Sequence, residues 1–350
     1  MAIKTGHASL QLSSLPASVL SENQPFLIFL TALQSGIYSK TMQSSYLYLN
    51  GLRVHYLHWK GPDVSQPVVV LLHGLASNAH IWDFVAPLLA AEGYPTLAID
   101  ARSHGLTDGS DGDYSFDIFT HDLAAFLDTC DVEKPVLIGH SWGANRALDY
   151  AVRFPVGRRA PAGLVLVDGG INQMNQAIPG FPPPDWENMR ERLTPPRLAG
   201  TPLESFVKHV KSFIADWGLS DEMKNQVISI VLGNFEIYMD DTQGLECIRP
   251  HLAFENHMQI VRALWEFNTF EYFGRIPCPV LLLPSRPASP RSAPDEIYLA
   301  AKEYGVKIAT EMIHDLTVYW MENAVHDSPL QRPTELTSQI NQFIASLHRA

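Results

Sequence analysis

Cysteine is scarce in this chain. Only Cys130, Cys247 and Cys278 occur in 350 residues; they are odd in number, widely spaced and free of any CxxC pair. That argues against a disulfide framework or a thiol zinc site, and leaves small buried hydrophobes as the expected role. Long apolar runs are also missing. The N-terminal stretch 26–33 (FLIFLTAL) falls far short of the roughly 20 residues a membrane-spanning helix needs, so no membrane insertion is expected. It lies late for a secretory signal, with only Lys4 before it to supply positive charge. A cytoplasmic location is therefore expected, with a signal or targeting segment as the alternative. Positive charge is in deficit: 25 Lys and Arg face 37 Asp and Glu, a formal net charge of −12. No basic run stands out, so nucleic acid and anionic lipid surfaces are poor partners. Glycine and proline are not in excess, and 46% of the residues are hydrophobic. A chain of this composition buries a core, with room for one inserted subdomain.

Regular patterning begins near Tyr46. Residues 46–50 (YLYLN) and 53–59 (RVHYLHW) alternate around Asn50-Gly51, the signature of a β-hairpin with a tight turn. Residues 1–45 are read as an N-terminal extension; 1–41 show no place in the pattern, so a chain started at Met42 is expected to remain soluble and active. Continuous apolar runs follow at 67–72, 95–100, 135–138 and 164–167, as expected of strands buried on both faces. Helical spacing fills the gaps at 81–91, 116–129 and 142–154, although Pro87 suits only a first helical turn. Strands alternating with helices predict an α/β fold with a mostly parallel, doubly wound sheet, its binding sites at the carboxyl ends of the strands. The alternation stops after Gly170. Residues 171–203 carry Pro182-Pro183-Pro184 and Pro195-Pro196, and 204–273 read as amphipathic helices with no strand between them. The rhythm returns with a strand at 279–283, a helix from about 295 to 304, a strand at 316–321 and a last helix from about 334 to 347. The division is thus a core of 46–169 and 274–350, interrupted by a helical insert at 170–273.

The chemical signal is Gly139-His140-Ser141-Trp142-Gly143, a G-x-S-x-G between a buried strand and a helix. The turn is so tight that a β-carbon at the flanking positions would clash, and it lifts the serine hydroxyl above the sheet edge. The helix N-terminus behind it offers unpaired N–H groups. His73-Gly74-Leu75 ends an earlier strand, and its backbone can supply an N–H to a developing oxyanion, with the N–H of Trp142 as the second donor. A serine hydroxyl needs a base. Among 14 histidines, His326 sits on the loop after the last strand, where such a base belongs. Of the others, His55 and His58 fall in the hairpin, His73 and His104 in early loops and His209, His251 and His257 in the insert, where structural roles are expected. The stretch Asp100–Gly105 is read as a loop braced by hydrogen bonds and a salt bridge.

In these motifs the chain resembles the α/β-hydrolase superfamily across about residues 46–348. The resemblance implies a Ser–His–acid triad, an acyl-enzyme, no cofactor or metal, and an insert that caps the site. The family usually carries its acid after the strand at 279–283, yet that loop reads Pro284-Ser285-Arg286-Pro287-Ala288-Ser289-Pro290, without a carboxylate. Some members place the acid one strand earlier, where Asp168 stands, beside the strand of Ser141 in the expected sheet order. Asp295 is the rival, although Ser292-x-x-Asp295 has the form of a capping box that would occupy it.

Three functions are compatible with these residues. The first is hydrolysis of a carboxylic ester or related acyl compound of apolar character, with Ser141, His326 and Asp168 as triad and Leu75 and Trp142 as oxyanion donors. The second is carbon–carbon bond hydrolysis on the same triad, and the third a non-catalytic ligand-binding protein. The partner expected in each case is a small molecule. Epoxide and haloalkane hydrolysis on this scaffold need a carboxylate nucleophile, and position 141 is serine.

Overall fold

The computed structural model describes residues 42–61, 66–109, 112–288 and 293–347. Two antiparallel strands, β1 (Met42–Leu49) and β2 (Leu52–Trp59), form the expected hairpin about Asn50-Gly51. Both turn residues have positive φ, 51° and 78°, as a tight hairpin turn requires. Because β1 begins at Met42, residues 42–45 belong to the sheet and not to an extension. The earlier residues, and the apolar run within them, lie outside the described residues.

The next strands are β3 (Val69–Leu72), β4 (Thr96–Ile99), β5 (Val136–His140) and β6 (Gly163–Val167). Between them lie α1 (Ala86–Ala91), α2 (Phe116–Thr129) and α3 (Trp142–Arg153). The segment expected as one helix at 81–91 splits into a 3-10 turn at Ala79–Trp82 and α1, with Pro87 in the first turn of α1, where its missing N–H costs nothing. Every residue of β3, β5 and β6 is buried, which is why these strands read as continuous apolar runs.

The insert holds α4 (Trp186–Leu193), β7 (Thr201–Pro202), α5 (Leu203–Phe213), α6 (Asp221–Leu232), β8 (Phe235–Asp240), β9 (Leu245–Pro250), α7 (Phe254–Glu266) and α8 (Thr269–Phe273). The helices are as expected. The absence of strands is not: β7, β9 and β8 form a three-stranded antiparallel sheet. Its strands are only partly buried and alternate weakly, so their period is hard to tell from that of an amphipathic helix. The insert is bolted to the core by Asn78, whose amide donates to Ile230 O at 2.9 Å and to Asn234 Oδ1 at 2.6 Å.

The core resumes with β10 (Val280–Leu283), β11 (Ser285–Arg286), α9 (Ala293–Met312), β12 (Leu316–Val318), β13 (Met321–Glu322), α10 (Ser328–Gln331) and α11 (Pro333–Leu347). The single strand expected at 316–321 is broken into β12, on the main sheet, and β13, which pairs with β11. The main sheet has eight strands in the order β1-β2-β4-β3-β5-β6-β10-β12. From β4 through β12 all neighbours are parallel. This is the mostly parallel, doubly wound arrangement, and it brings the carboxyl ends of β5, β6 and β10 side by side.

Candidate active site

Ser141 lies between β5 and α3 with φ 54° and ψ −123°, a positive-φ conformation that a non-glycine residue holds only when its surroundings force it. The forcing is visible at its glycines. A β-carbon on Gly139 would come within 2.3 Å of Gly143 O, and one on Gly143 within 2.3 Å of Leu72 O. Gly169 is as constrained, since a β-carbon there would lie 2.0 Å from Ser141 O. The end of β6 therefore presses directly on the serine. Ser141 N–H donates to Val167 O at 2.9 Å, fixing the two strand ends together.

His326 reaches the serine from the loop after β13. Ser141 Oγ lies 2.9 Å from His326 Nε2, and His326 Nδ1 donates to Asp168 Oδ2 at 2.6 Å. A carboxylate can only accept, so Nδ1 carries the proton and Nε2 is free to accept one. Asp168 follows β6 and is fully buried, whereas the His326 side chain is 42% exposed. Asp295, in the first turn of α9, is exposed and is not the carboxylate at His326. Its expected capping partner Ser292 lies outside the described residues. Asp327 precedes α10 without a side-chain cap bond.

Asp168 is held more firmly than the sequence suggested. Its Oδ1 accepts from Ser285 N–H at 2.7 Å, and Lys302 Nζ donates to Oδ1 at 2.8 Å and Oδ2 at 3.1 Å. Burial alone would raise the pKa of this carboxyl, but the hydrogen bond and charge of His326, with Lys302, bring it down to about 2. Burial works against protonation of His326; the Asp168 hydrogen bond and charge outweigh it and hold the imidazole pKa above the ordinary histidine value.

Other histidines brace the site in neutral form. His140 Nε2 donates to the carbonyl of His326 at 2.9 Å and so steadies its loop; burial, with the neighbouring His326, lowers its pKa to about 4. His73 Nδ1 donates to Gly74 O at 2.7 Å while Nε2 accepts Ala101 N–H at 3.0 Å, and burial lowers its pKa to about 4 as well. Asp100, at the end of β4, accepts from His55 at 2.7 Å, Ala79 N at 2.6 Å and Leu106 N at 3.0 Å, and Arg102 pairs with Asp122 at 2.7 Å. The stretch 100–105 is thus a braced loop, as its composition suggested.

Leu75 and Trp142 border the same cavity as Ser141. Gly74 brings the Leu75 loop close, since a β-carbon on it would lie 3.2 Å from Ser141 Cβ. Trp142 opens α3, so its N–H has no acceptor within the helix. Its ring stacks on His104 at 5.4 Å and lies under the Arg146 guanidinium at 4.8 Å. The cavity has a volume of about 510 Å³. Its apolar wall comes from Ile171, Met174, Leu193, Pro195 and Leu264 of the insert and from Tyr298 of α9. None of the insert aromatics Phe181, Trp186, Phe206, Phe213, Trp217, Trp265, Phe267 or Phe270 lines it; Phe206, Trp217 and Phe267 are buried in hydrophobic core. His257, read as structural, is buried yet borders the cavity, and Arg192 stands at the same wall. Among the described residues no cluster of His, Cys, Asp or Glu is suited to a metal ion, and no helix is long and apolar enough to cross a membrane.

A strained serine between a central strand and a helix, with a histidine and a buried carboxylate at the adjoining strand ends, defines a class. The alpha/beta hydrolase family model matches residues 69–339, and the chain belongs to that family. Among similar curated proteins, epoxide hydrolase B of Mycobacterium tuberculosis is 34% identical over 107 residues, 30% of each chain. The non-heme chloroperoxidase of Streptomyces lividans is 34% identical over 116 residues, 33% of this chain and 41% of that protein. These matches thus cover less than half of either relative. Similar solved structures extend over nearly the whole chain. A membrane phospholipase A superposes with a TM-score of 0.68 at 17% identity, covering 95% of this chain and 96% of that one. An esterase from Exiguobacterium antarcticum gives 0.63 at 16% identity, covering 87% and 100%. At such identities the likeness is one of fold.

Proposed function

We propose that this hydrolase cleaves carboxylic esters or related acyl compounds of apolar character through an acyl-enzyme. The observation that carries the reading is the unbroken chain Ser141 Oγ, His326, Asp168, at 2.9 and 2.6 Å, opening on a mostly apolar cavity. Ser141 Oγ attacks the acyl carbon while His326 Nε2 takes its proton. The oxyanion is received by the N–H groups of Leu75 and Trp142. Asp168 keeps His326 in the required tautomer and stabilises the imidazolium. His326 then protonates the leaving alcohol, and the acyl group remains on Ser141. Water enters, gives a proton to His326, adds to the acyl carbon and releases the acid, and the proton returns to Ser141.

Epoxide opening, the activity in the name of one relative, proceeds on this scaffold through a carboxylate nucleophile; a hydroxyl at position 141 favours acyl transfer. The test is labelling by a fluorophosphonate probe, followed by a panel of nitrophenyl esters of graded chain length with a diketone alongside. Labelling at Ser141 with turnover of medium or long esters is the expected result. Turnover of the diketone alone would move the activity to carbon–carbon bond hydrolysis. A folded protein that is never labelled would leave a ligand-binding role.

A further inference from the structure

Lys302 is buried, 4% exposed, and lies on α9, more than a hundred residues from Asp168 in sequence. Lysine is seldom buried unless its charge is paired. Here all three ammonium donors are used: on Asp168 Oδ1 at 2.8 Å, on Asp168 Oδ2 at 3.1 Å and on Ser285 O at 2.7 Å. Ser285 donates its own N–H to Asp168 Oδ1 at 2.7 Å. The carboxylate is thus gripped on both oxygens, and the oxygen that receives His326 also receives Lys302.

We propose that Lys302 is a positioning residue acting through Asp168: it fixes the rotation of the carboxylate and draws part of its negative charge away from His326. The inference rests on reading His326 as the base. Two consequences follow. First, the His326 ring keeps its direction toward Ser141 although the acid is contributed by β6 and not by the loop after β10. Second, the imidazolium formed during proton transfer meets a carboxylate already paired with a cation, so it is stabilised less than beside a lone carboxylate. His326 becomes a weaker base and stays neutral to lower pH.

The groups facing His326 are consistent with this role. Asp168 at the end of β6 and Asp327 on its own loop favour the charged ring. Lys302 on α9 opposes them. His140, at the end of β5, is neutral and bonds the His326 carbonyl. Tyr298, on α9, lies edge-on at 6.5 Å with its hydroxyl held protonated by burial. Lys302 is thus the full positive charge among them. Like charges separated by one carboxylate, at an effective dielectric of ~20 and discounted for the open edge of His326, interact by on the order of one pH unit.

The test compares Lys302→Met, Lys302→Gln and Lys302→Arg with the unaltered chain. The titration of the His326 imidazole is followed by NMR, with its signals assigned through His326→Gln. The pH dependence of fluorophosphonate labelling is measured in parallel. Removing the charge should raise the His326 midpoint, and the acid limb of labelling, by about one unit, whereas Lys302→Arg should keep both near the original values. Lys302→Gln retains a donor for Asp168, so the charge is tested even where methionine prevents folding. An unchanged midpoint in the neutral variants, or an equal rise in Lys302→Arg, would overturn the proposal. The NMR midpoint does not depend on Ser141 chemistry. An unaltered chain that is never labelled would therefore sink acyl transfer, while the NMR comparison would still decide the role of Lys302.

Discussion

Replacing Asp168 by asparagine separates the two tasks of this carboxylate. Oδ1 accepts from Ser285 N–H, so the new amide would keep its oxygen there and turn its NH2 toward His326. His326 Nδ1 would then have to accept, which moves the proton to Nε2 and leaves nothing to receive the Ser141 proton. A forced tautomer of this kind lowers turnover by about 10⁴-fold in a serine triad. The same change leaves the Lys302 ammonium buried without its counter-charge, and breaking a buried pair from one side costs about 3–5 kcal/mol. Sequence alone would place Asp168→Asn as an active-site change with little effect on stability; the contact with Lys302 makes it a destabilising one. The double variant Asp168→Asn, Lys302→Met should recover most of the lost stability, read by thermal or urea unfolding, and none of the lost labelling of Ser141. Recovery of labelling in the double variant, or an Asp168→Asn protein as stable as the original, would refute the account of Asp168 as both orienter and counter-ion.

Ser141→Ala should abolish fluorophosphonate labelling and ester turnover while leaving the unfolding free energy within about 1 kcal/mol of the original, because the residue borders the open cavity; turnover in a folded variant would remove Ser141 from the chemistry. Gly169→Ala should yield little folded protein or an unlabelled one, since its β-carbon would strike Ser141 O at 2.0 Å, and an active, normally folded variant would contradict that packing. The acid limb of labelling should have its midpoint above the ordinary histidine value of about 6.5, because the His326 pKa is raised and the neutral base is lost as pH falls through it; a midpoint well below 6.5 would argue against the Asp168 pairing. His73, His104 and His140 are buried neutral with lowered pKa values. Their contribution to stability is whole above about pH 6.5 and is lost as pH falls toward the folded values, by up to ~3 kcal/mol for a shift such as that of His73; a flat stability profile between pH 6.5 and 4 would refute this.

The core was legible because its physics is local. The residues of β3, β5 and β6 are buried on both faces, so each appears as an apolar run bounded by turn residues. The insert was legible as an interruption and as helices, but its small sheet was not. In β8 half-buried and exposed positions mix without a fixed period, and in β9 the two buried residues, Cys247 and Ile248, are adjacent, so neither gives the clean alternation that marks a strand. Their pairing register, Phe235 with Pro250 through Asp240 with Leu245, closes on a turn of Asp241, Thr242, Gln243 and Gly244. Gly244 has a positive φ of 65°, and the Thr-Gln-Gly cluster was the available turn signal. The break of the last strand had no local mark at all, because β13 leaves the main sheet to pair with β11, a partner that only the tertiary structure supplies.

The placement of Asp168, the acid proposed for the triad, shows how far the sequence could be read and where it stopped. A loop after β10 without a carboxylate directed attention to Asp168, and the sheet order explains why one strand earlier suffices. β6 lies between β5 and β10, so Asp168 stands beside the Ser141 elbow, with its N–H on Leu283 O at 3.0 Å. His326 comes within reach because Met321 N–H donates to Pro284 O at 2.9 Å and Ala324 N–H to Arg286 O at 3.0 Å, drawing its loop along the extension of β10. Ser285, standing where the family usually carries its acid, contributes through its backbone instead: its N–H holds Asp168 and its carbonyl holds Lys302. A backbone contribution leaves no trace in residue type. Lys302 likewise reads as one more lysine on an amphipathic helix, and only the packing of α9 against the ends of β6 and β10 turns it into the counter-charge of Asp168. Side chains that act on substrate are confined to few residue types at strand ends and can be found from sequence. Groups that act through another residue are constrained only by distance, which is a property of the fold.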